Sequence, residues 1–173
     1  MDEDRFRVGR LDHVHIRVPD RAAAAAWYAE HLGLEPVERF AFWAEGFEGG
    51  PLQVSADGGA TTLALFEVSD GHPMVPQVTG VAFSVDAETF VAFARSLPGA
   101  VPGRDGQPLT RDQLIDFDLC WAFDLADPWG NQYELNCYDH EAVRAELVVR
   151  DGVEPVRYWP VELHQDWAAP GRP

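Results

Sequence analysis

Two histidines near the start of the chain, His13 and His15, are the residues whose type and spacing first suggest chemistry. They lie in the run LDHVHIRVPD among β-branched residues, which is typical of a strand. Side chains two residues apart on a strand project from the same face, with Cα atoms roughly 7 Å apart. Two imidazoles at that separation can reach one metal ion with suitable rotamers. The pair is therefore either a metal-binding element or simply two imidazoles in a strand.

The overall composition disfavours several classes of protein. A chain of 173 residues that is 46% hydrophobic can bury one core of ordinary size. The formal charge of −16, with 13 scattered arginines as its basic residues, disfavours nucleic acid as a partner. No apolar run approaches the roughly 20 residues needed to span a bilayer, and the N-terminus lacks an apolar signal region. The sequence thus predicts a cytoplasmic protein without a membrane partner.

The elements that must position the histidines follow a β-α-β-β-β order. LDHVHIRV is predicted to be a strand, and Asp20 then caps a helix that ends at Gly33. Three strand-like runs separated by Gly-rich or Asp-Gly turns follow it. These three runs are LEPVERFAFWAEG, PLQVSA and TTLALFEV.

The same order then repeats, which indicates an internal duplication. VTGVAFSV is a predicted strand, Asp86 can cap a second helix, and LCWAFDLADPWGNQYELNCY predicts two strands around a turn. One more strand is expected in the Pro- and Gly-rich stretch before them. When the two first strands are aligned, His13 falls beside Gly80 and His15 beside Ala82.

Beyond Tyr138 the pattern predicts a helix that stops at Gly152, followed by an aromatic-rich tail. Tyr158, Trp159 and Trp167 lie among prolines there, so the tail is expected to pack in extended form across the domain or a partner subunit.

The paired modules, LDHVHIRVPD and above all DPWGNQYELNCY resemble the vicinal oxygen chelate superfamily, which includes glyoxalase I, bleomycin-resistance proteins and extradiol dioxygenases. The resemblance covers about residues 10–138. It implies an α+β fold in which two βαβββ modules form a cup-shaped mixed sheet. The implied division is module one (10–68), a linker (69–77), module two (78–138) and a C-terminal helix with an extended tail (139–173).

This resemblance also implies a divalent metal, Fe, Mn, Ni or Zn, held by one His from each module and a Glu from the last strand. When these ligand positions of the family are matched to this sequence, the first His is His13 and the Glu is Glu134. The second His falls at Gly80, and a fourth ligand position falls at Ala64, so neither can ligate through a side chain. His15 is the natural substitute. A buried Glu134 needs a metal, His13 or an arginine to compensate its charge.

The remaining candidates are weaker. Glu67 is expected to face away from the ligand position, whereas Asp124 could reach the cup or the solvent. Cys120 and Cys137 have no metal-type spacing and are predicted to be structural thiols. The remaining histidines, which are predicted to lie at the surface, are His31, His72, His140 and His164.

A substrate pocket can also be predicted, because 12% of the residues are aromatic. Such rings could line a cavity for an aromatic or planar small molecule, although core packing is the alternative. The residues predicted for this wall are Phe42, Trp43, Phe47, Trp121 and Phe123.

Two functions fit these observations. The first is a metal-dependent lyase, isomerase or dioxygenase-like enzyme with an incomplete ligand set of His13, Glu134 and His15. The alternative is a metal-free binding and sequestering protein of the bleomycin-resistance type, which the loss of ligands at Gly80 and Ala64 favours. A third, weaker alternative is a domain whose aromatic tail mainly serves assembly. A homodimer is expected, since the linker permits exchange of modules between subunits.

Overall fold

The computed structural model describes residues 8–46 and 48–161, which divide into two compact units between Pro76 and Gln77. The first unit contains β1 (His13–Val18), α1 (Arg21–Leu32), β2 (Glu35–Pro36), α2 (Ala41–Glu45), β3 (Leu52–Ser55) and β4 (Thr62–Glu67). The second contains β5 (Val81–Ser84), α3 (Ala87–Ser96), β6 (Ile115–Asp116), β7 (Trp121–Ala126), β8 (Gln132–Cys137) and α4 (His140–Val143).

Each unit has a four-stranded mixed sheet with the same topology. The strand orders are β1-β4-β3-β2 and β5-β8-β7-β6, and in each sheet the first strand runs parallel to the last. His15 lies opposite Ala64 in the first sheet, and Ala82 lies opposite Glu134 in the second. The duplication and the α+β class predicted from the sequence are therefore confirmed, and the strand alignment of the two modules holds in register.

Both long helices begin at an aspartate, as the sequence predicts. Asp20 accepts a hydrogen bond from the backbone N–H of Ala23 at 2.9 Å, and Asp86 accepts one from Thr89 at 2.8 Å. Helix α1 ends at Gly33, whose φ of 65° lies in the left-handed region that favours glycine.

Each sheet packs one face against its own helix. In unit two, Phe90 of α3 stacks on Phe123 of β7 with ring centroids 5.4 Å apart. In unit one, the backbone N–H of Arg21 at the start of α1 donates to Glu67 at 3.1 Å, so Glu67 faces the helix, as expected. We call the opposite face of each sheet its helix-distal face. Because side chains alternate along a strand, His13 and His15 occupy that face in unit one, and Glu134 occupies it in unit two.

The first of the three strand-like runs after α1 was predicted wrongly. In LEPVERFAFWAEG only Glu35 and Pro36 pair with β3, and the chain then forms a 3-10 turn and helix α2. Phe40 and Trp43 are three residues apart, and their rings stack at 4.7 Å with an interplanar angle of 5°. This contact and the helix-forming Ala41 and Ala44 favour a helical turn.

The C-terminal segment packs on unit two. Helix α4 continues as a π-helical stretch (Arg144–Arg150) that is followed by Gly152 with a φ of 72°. The tail then runs beside β6, where Val156 forms a parallel bridge with Ile115. Trp167 lies outside the described residues. Within the described part of the chain, no helix is long and apolar enough to cross a membrane.

Candidate functional site

The two histidines of β1 converge on each other. Their Nε2 atoms lie 3.0 Å apart, and the ring planes differ by 16°. On the other side of its ring, His13 places Nδ1 2.8 Å from a carboxylate oxygen of Asp12. The carboxylate accepts a hydrogen bond from Nδ1–H of His13, and one of the two Nε2 atoms donates to the other.

The charges around this pair shift two pKa values. The hydrogen bond from His13 lowers the pKa of Asp12. Burial lowers the pKa of His15, and the neighbouring charges of His13 and Arg17 lower it further. These effects favour the neutral form of His15 over the charged form.

An aromatic ring and a cation extend this helix-distal face of unit one. The ring of Phe66 lies 4.7 Å from that of His15, and the Arg17 guanidinium lies over the same ring at 5.4 Å. A cavity of about 750 Å³ lies at the end of this sheet and is lined from both sides, by Arg17 and Phe66 and by Arg21 and Glu67, among others. Its size suits a small organic ligand.

The other expected ligand position in unit one carries no metal donor. Ala64 lies between His15 and Gln53 across three strands and is fully buried. The Gln53 amide oxygen accepts a hydrogen bond from the Thr62 hydroxyl. These neighbours are neutral, so the row contributes only His15 as a strong metal donor.

In unit two, Glu134 lies in a row with Ala82 on β5 and Asp124 on β7. One Glu134 oxygen accepts a hydrogen bond from the Asn136 amide at 2.7 Å. Asp124 pairs with the Arg104 guanidinium at 2.9 Å. Burial raises the pKa of Asp124, the Glu134 charge raises it further, and Arg104 opposes both effects. Asp124 therefore reaches the same face as Glu134, a placement that the sequence left open.

Gly80, at the position expected for the second histidine ligand, is not built for metal binding. Its φ is 84°, and a Cβ placed there would meet the Arg104 guanidinium at 3.6 Å. A cation thus lies where the resemblance requires a metal ligand. Among the described residues, no group of three or more His, Cys, Asp and Glu side chains is arranged to hold a metal ion. The donor set therefore does not fit the three-ligand centre implied by the resemblance.

The aromatic residues predicted for the pocket wall separate into two groups. Trp121 and Phe123 are buried on the face of the β7 strand that packs on α3, opposite Glu134, so they fit the core-packing alternative. Phe42 and Trp43 are 70% and 40% exposed on α2. Phe47 lies outside the described residues.

Two histidines predicted to lie at the surface are instead half-buried. The His140 ring stacks on Trp121 at 4.6 Å and its Nε2 lies 2.9 Å from an Asp116 oxygen, because α4 folds back over the sheet. His31 packs against Trp27 at 5.1 Å. His72 is exposed, as predicted, and His164 lies outside the described residues.

Both cysteines are free and buried. Burial raises the pKa of the Cys120 and Cys137 thiols, so both stay protonated and unreactive near neutral pH. This agrees with the structural role predicted for them.

Sequence reasoning missed two residues of the polar face in unit two. Asn136 follows Glu134 by two positions, so strand alternation could have placed it on the same face. Arg104 carries no such signal, because it lies in an irregular loop whose path depends on tertiary contacts.

The chain matches one protein-family model, and its fold is similar to those of several solved structures. A protein-family model described as the Glyoxalase/Bleomycin resistance protein/Dioxygenase superfamily matches residues 10–97, just over half of the chain. No curated protein sequence matches the chain.

Solved structures agree with the family match at the level of fold. The antibiotic-binding protein TnmS3 from Streptomyces sp. CB03234 has 20% identity and a TM-score of 0.55 over 78% of this chain and 100% of its own. The oxidase ChaP-H1 has 23% identity and a TM-score of 0.54 over 77% and 98%. A superfamily member from Sphaerobacter thermophilus DSM 20745 has 20% identity and a TM-score of 0.54 over 75% and 98%. At these identities the likeness is one of fold.

Proposed function

Because the chain belongs to the glyoxalase/bleomycin resistance protein/dioxygenase superfamily, we propose that it binds and sequesters a small planar molecule without using a metal. Sequestering a small molecule is the function that the resemblance to bleomycin-resistance proteins implies. The observation that carries the proposal is the Arg104 guanidinium beside Gly80, at the position that a metal-binding member would give to a histidine.

The charge balance in unit two supports this proposal. Arg104 is paired with Asp124, and the Asn136 amide donates to Glu134. Glu134 is half-buried, and protein groups supply part of the compensation that its charge requires.

The shared fold is compatible with the proposal and does not decide it. One similar structure is of an antibiotic-binding protein and another is of an oxidase. Binding of a small molecule is the simpler common property, and the cavity beside Arg17 and Phe66 has a suitable size.

A metal-dependent lyase, isomerase or dioxygenase-like enzyme is the second candidate, and one observation favours it. Asp12 holds Nδ1 of His13 and directs Nε2 toward His15, which resembles the way carboxylates orient metal-bound histidines. In that case His13, His15 and Glu134 would be the ligands of the divalent metal.

Metal analysis separates the two candidates. We expect protein purified without chelator to contain far less than one equivalent of Fe, Mn, Ni or Zn, and none of these ions to raise its melting temperature. The proposal would be contradicted, and the enzyme favoured, if the protein held one equivalent of metal. In that case His13→Ala and Glu134→Gln should lose the metal, and the exposed-loop control His72→Ala should keep it.

We further propose that the protein is a homodimer located in the cytoplasm. The location stays a prediction from composition.

A further inference from the structure

We propose that the helix-distal face of unit two is a subsite for a protonated amine or amidinium group carried by an aromatic ligand. The polar part of the subsite consists of Asp124, Glu134 and Asn136. This inference rests on the proposed binding function and specifies the chemistry of the ligand.

The first argument is the excess of negative charge on this face. Asp124 and Glu134 lie directly opposite each other on adjacent antiparallel strands. Like charges in that position repel each other, since the Cβ atoms of such a pair are only about 5 Å apart. One guanidinium, that of Arg104, pairs with Asp124. Two carboxylates and one cation leave a negative charge that a ligand cation can balance.

The second argument is independent of charge and concerns Asn136. Its side chain is buried, with 7% of the residue exposed, and its amide nitrogen donates to Glu134. The reverse orientation would set the amide oxygen against a carboxylate oxygen, so the orientation is fixed. Within the part of the chain that the structure describes, no donor reaches Oδ1 of Asn136. A buried acceptor without a donor is costly, and it indicates that a donor is supplied from outside.

The neighbouring side chains on this face are small. Ala82 lies beside Glu134, while Ser84 and Ala122 flank Asn136 on the two adjacent strands. Ala82 and Ser84 are exposed. These short side chains do not themselves donate to Glu134 or to Oδ1 of Asn136 in the described part of the chain. The group that binds them must donate hydrogen bonds, because Glu134, Asp124 and the Asn136 oxygen are all acceptors.

Aromatic side chains form a surface at the end of the sheet that lies beyond Asn136. Phe117 continues the alternation of β6 and stacks on Trp159 at 5.7 Å, and its ring lies 5.9 Å from that of Tyr158. Trp159 is anchored by a hydrogen bond from its indole N–H to Asp118. Tyr138, two residues beyond Asn136, is 65% exposed, and Tyr158 is 64% exposed.

This surface determines the class of ligand. A planar ring that stacks on these aromatic side chains directs its substituent toward Asn136, whereas Glu134 lies about 13 Å from Tyr138 along the strand, so a smaller cation binds at the carboxylates and a longer ligand spans both groups. An anionic ligand would meet two carboxylates and is disfavoured.

The inference can be tested with three aromatic probes of nearly the same shape and different charge. Benzamidine is a cation, benzamide is neutral and benzoate is an anion. We expect calorimetry or NMR titration of the full chain to detect benzamidine binding at least tenfold tighter than that of the other two. The variants Asp124→Asn and Glu134→Gln should each weaken benzamidine binding about tenfold, and Asn136→Leu should weaken it too.

Two further variants control the experiment. Glu141→Gln removes an exposed carboxylate of the same unit and should leave binding unchanged, which excludes general attraction to an acidic protein. Arg104→Gln removes the competing guanidinium and should tighten benzamidine binding several-fold. This gain keeps the inference testable if a carboxylate variant fails to fold.

Metal content, measured on the same samples, distinguishes failure of this inference from failure of the proposed function. Metal-free protein that binds all three probes equally, or whose Asp124 and Glu134 variants bind benzamidine normally, overturns this inference alone. Protein that holds a stoichiometric metal at Glu134 overturns the proposed function, and with it the inference that rests on it.

Discussion

Gly80 differs from its aligned partner His13 in backbone conformation as well as in side chain. His13, its aligned partner, opens a regular strand, whereas Gly80 has a φ of 84° and precedes β5. There is room for a side chain, because the nearest atom to an added Cβ is 3.6 Å away. The obstacle is therefore the backbone conformation, which L-residues rarely adopt.

We predict that Gly80→Ala and Gly80→His each lower the free energy of unfolding by about 1–3 kcal/mol, the usual cost of a residue held in a sparsely populated backbone region. Urea denaturation measures the change. The control Gly71→Ala, at a glycine with open space around its Cβ and no positive φ, should be near neutral. If Gly80→His gained stoichiometric metal without loss of stability, the backbone would have to be more adaptable than its conformation indicates.

The sequence predicts which residues share a face of a strand better than it predicts which side chains they contact. Strand alternation correctly places His13 and His15 on one face, and their direct contact follows from their spacing. The pairing of Arg104 with Asp124 joins an irregular loop to a strand, and no local pattern encodes such a contact. That is why the cation beside Gly80 could be found only in the structure.

At the scale of elements, the C-terminal tail neutralises a buried acidic site in β6 and the turn that follows. The Asp116 side chain is 10% exposed and accepts hydrogen bonds from His140 and Arg157. The same guanidinium also pairs with Asp118, and it is 21% exposed. Removing Arg157 would leave two nearly buried carboxylates without their shared cation.

We therefore predict that Arg157→Ala lowers the free energy of unfolding by about 3 kcal/mol, as is usual when a buried ion pair loses one partner. Thermal or urea unfolding measures this. The control is Arg150→Ala, which breaks an exposed pair with Glu146 on the C-terminal helical segment and should change little. Equal effects of both substitutions would mean that the tail is not held by its charges.

Sequence patterns predict those helices and strands whose local sequence alone specifies where they begin, continue and end. The helices that begin at Asp20 and Asp86 could be predicted because the cap, the period and the stop agree. Helix α2 could not, since Phe40 and Phe42 fit the alternation of a strand while Phe40 and Trp43 fit helical spacing. Strand β6 is only two residues long, so its position depends on β7 and the tail rather than on its own sequence.

At the scale of the whole molecule, duplication has kept the scaffold and changed the chemistry. The two sheets share strand order and register, yet the helix-distal faces differ in charge. Unit one presents His13, His15 and Arg17 there, whereas unit two presents Asp124 and Glu134. The hydrophobic pattern encodes the shared scaffold, which is why the fold could be predicted so fully. The different faces arise from single substitutions that patterns of hydrophobicity do not record.

The connection between the units bears on assembly. After an isolated bridge between Ser69 and His72, residues 73–78 have no regular secondary structure. Pro73 and Pro76 favour an extended path, and six extended residues span about 20 Å. Such a connection is long enough to carry a module into a second copy of the chain.

We predict that sedimentation velocity at micromolar concentration gives a dimer with twice the 19.2 kDa mass of the chain. If the dimer forms by exchange of modules, four Gly-Ser residues inserted after Met74 should shift it toward monomer, because a longer connection lets both modules close within one chain. The same insertion after Asp105, in an exposed loop of unit two, should leave the dimer intact. A monomer for the unaltered chain would contradict the prediction, and a dimer insensitive to the first insertion would indicate association through surfaces instead of exchange.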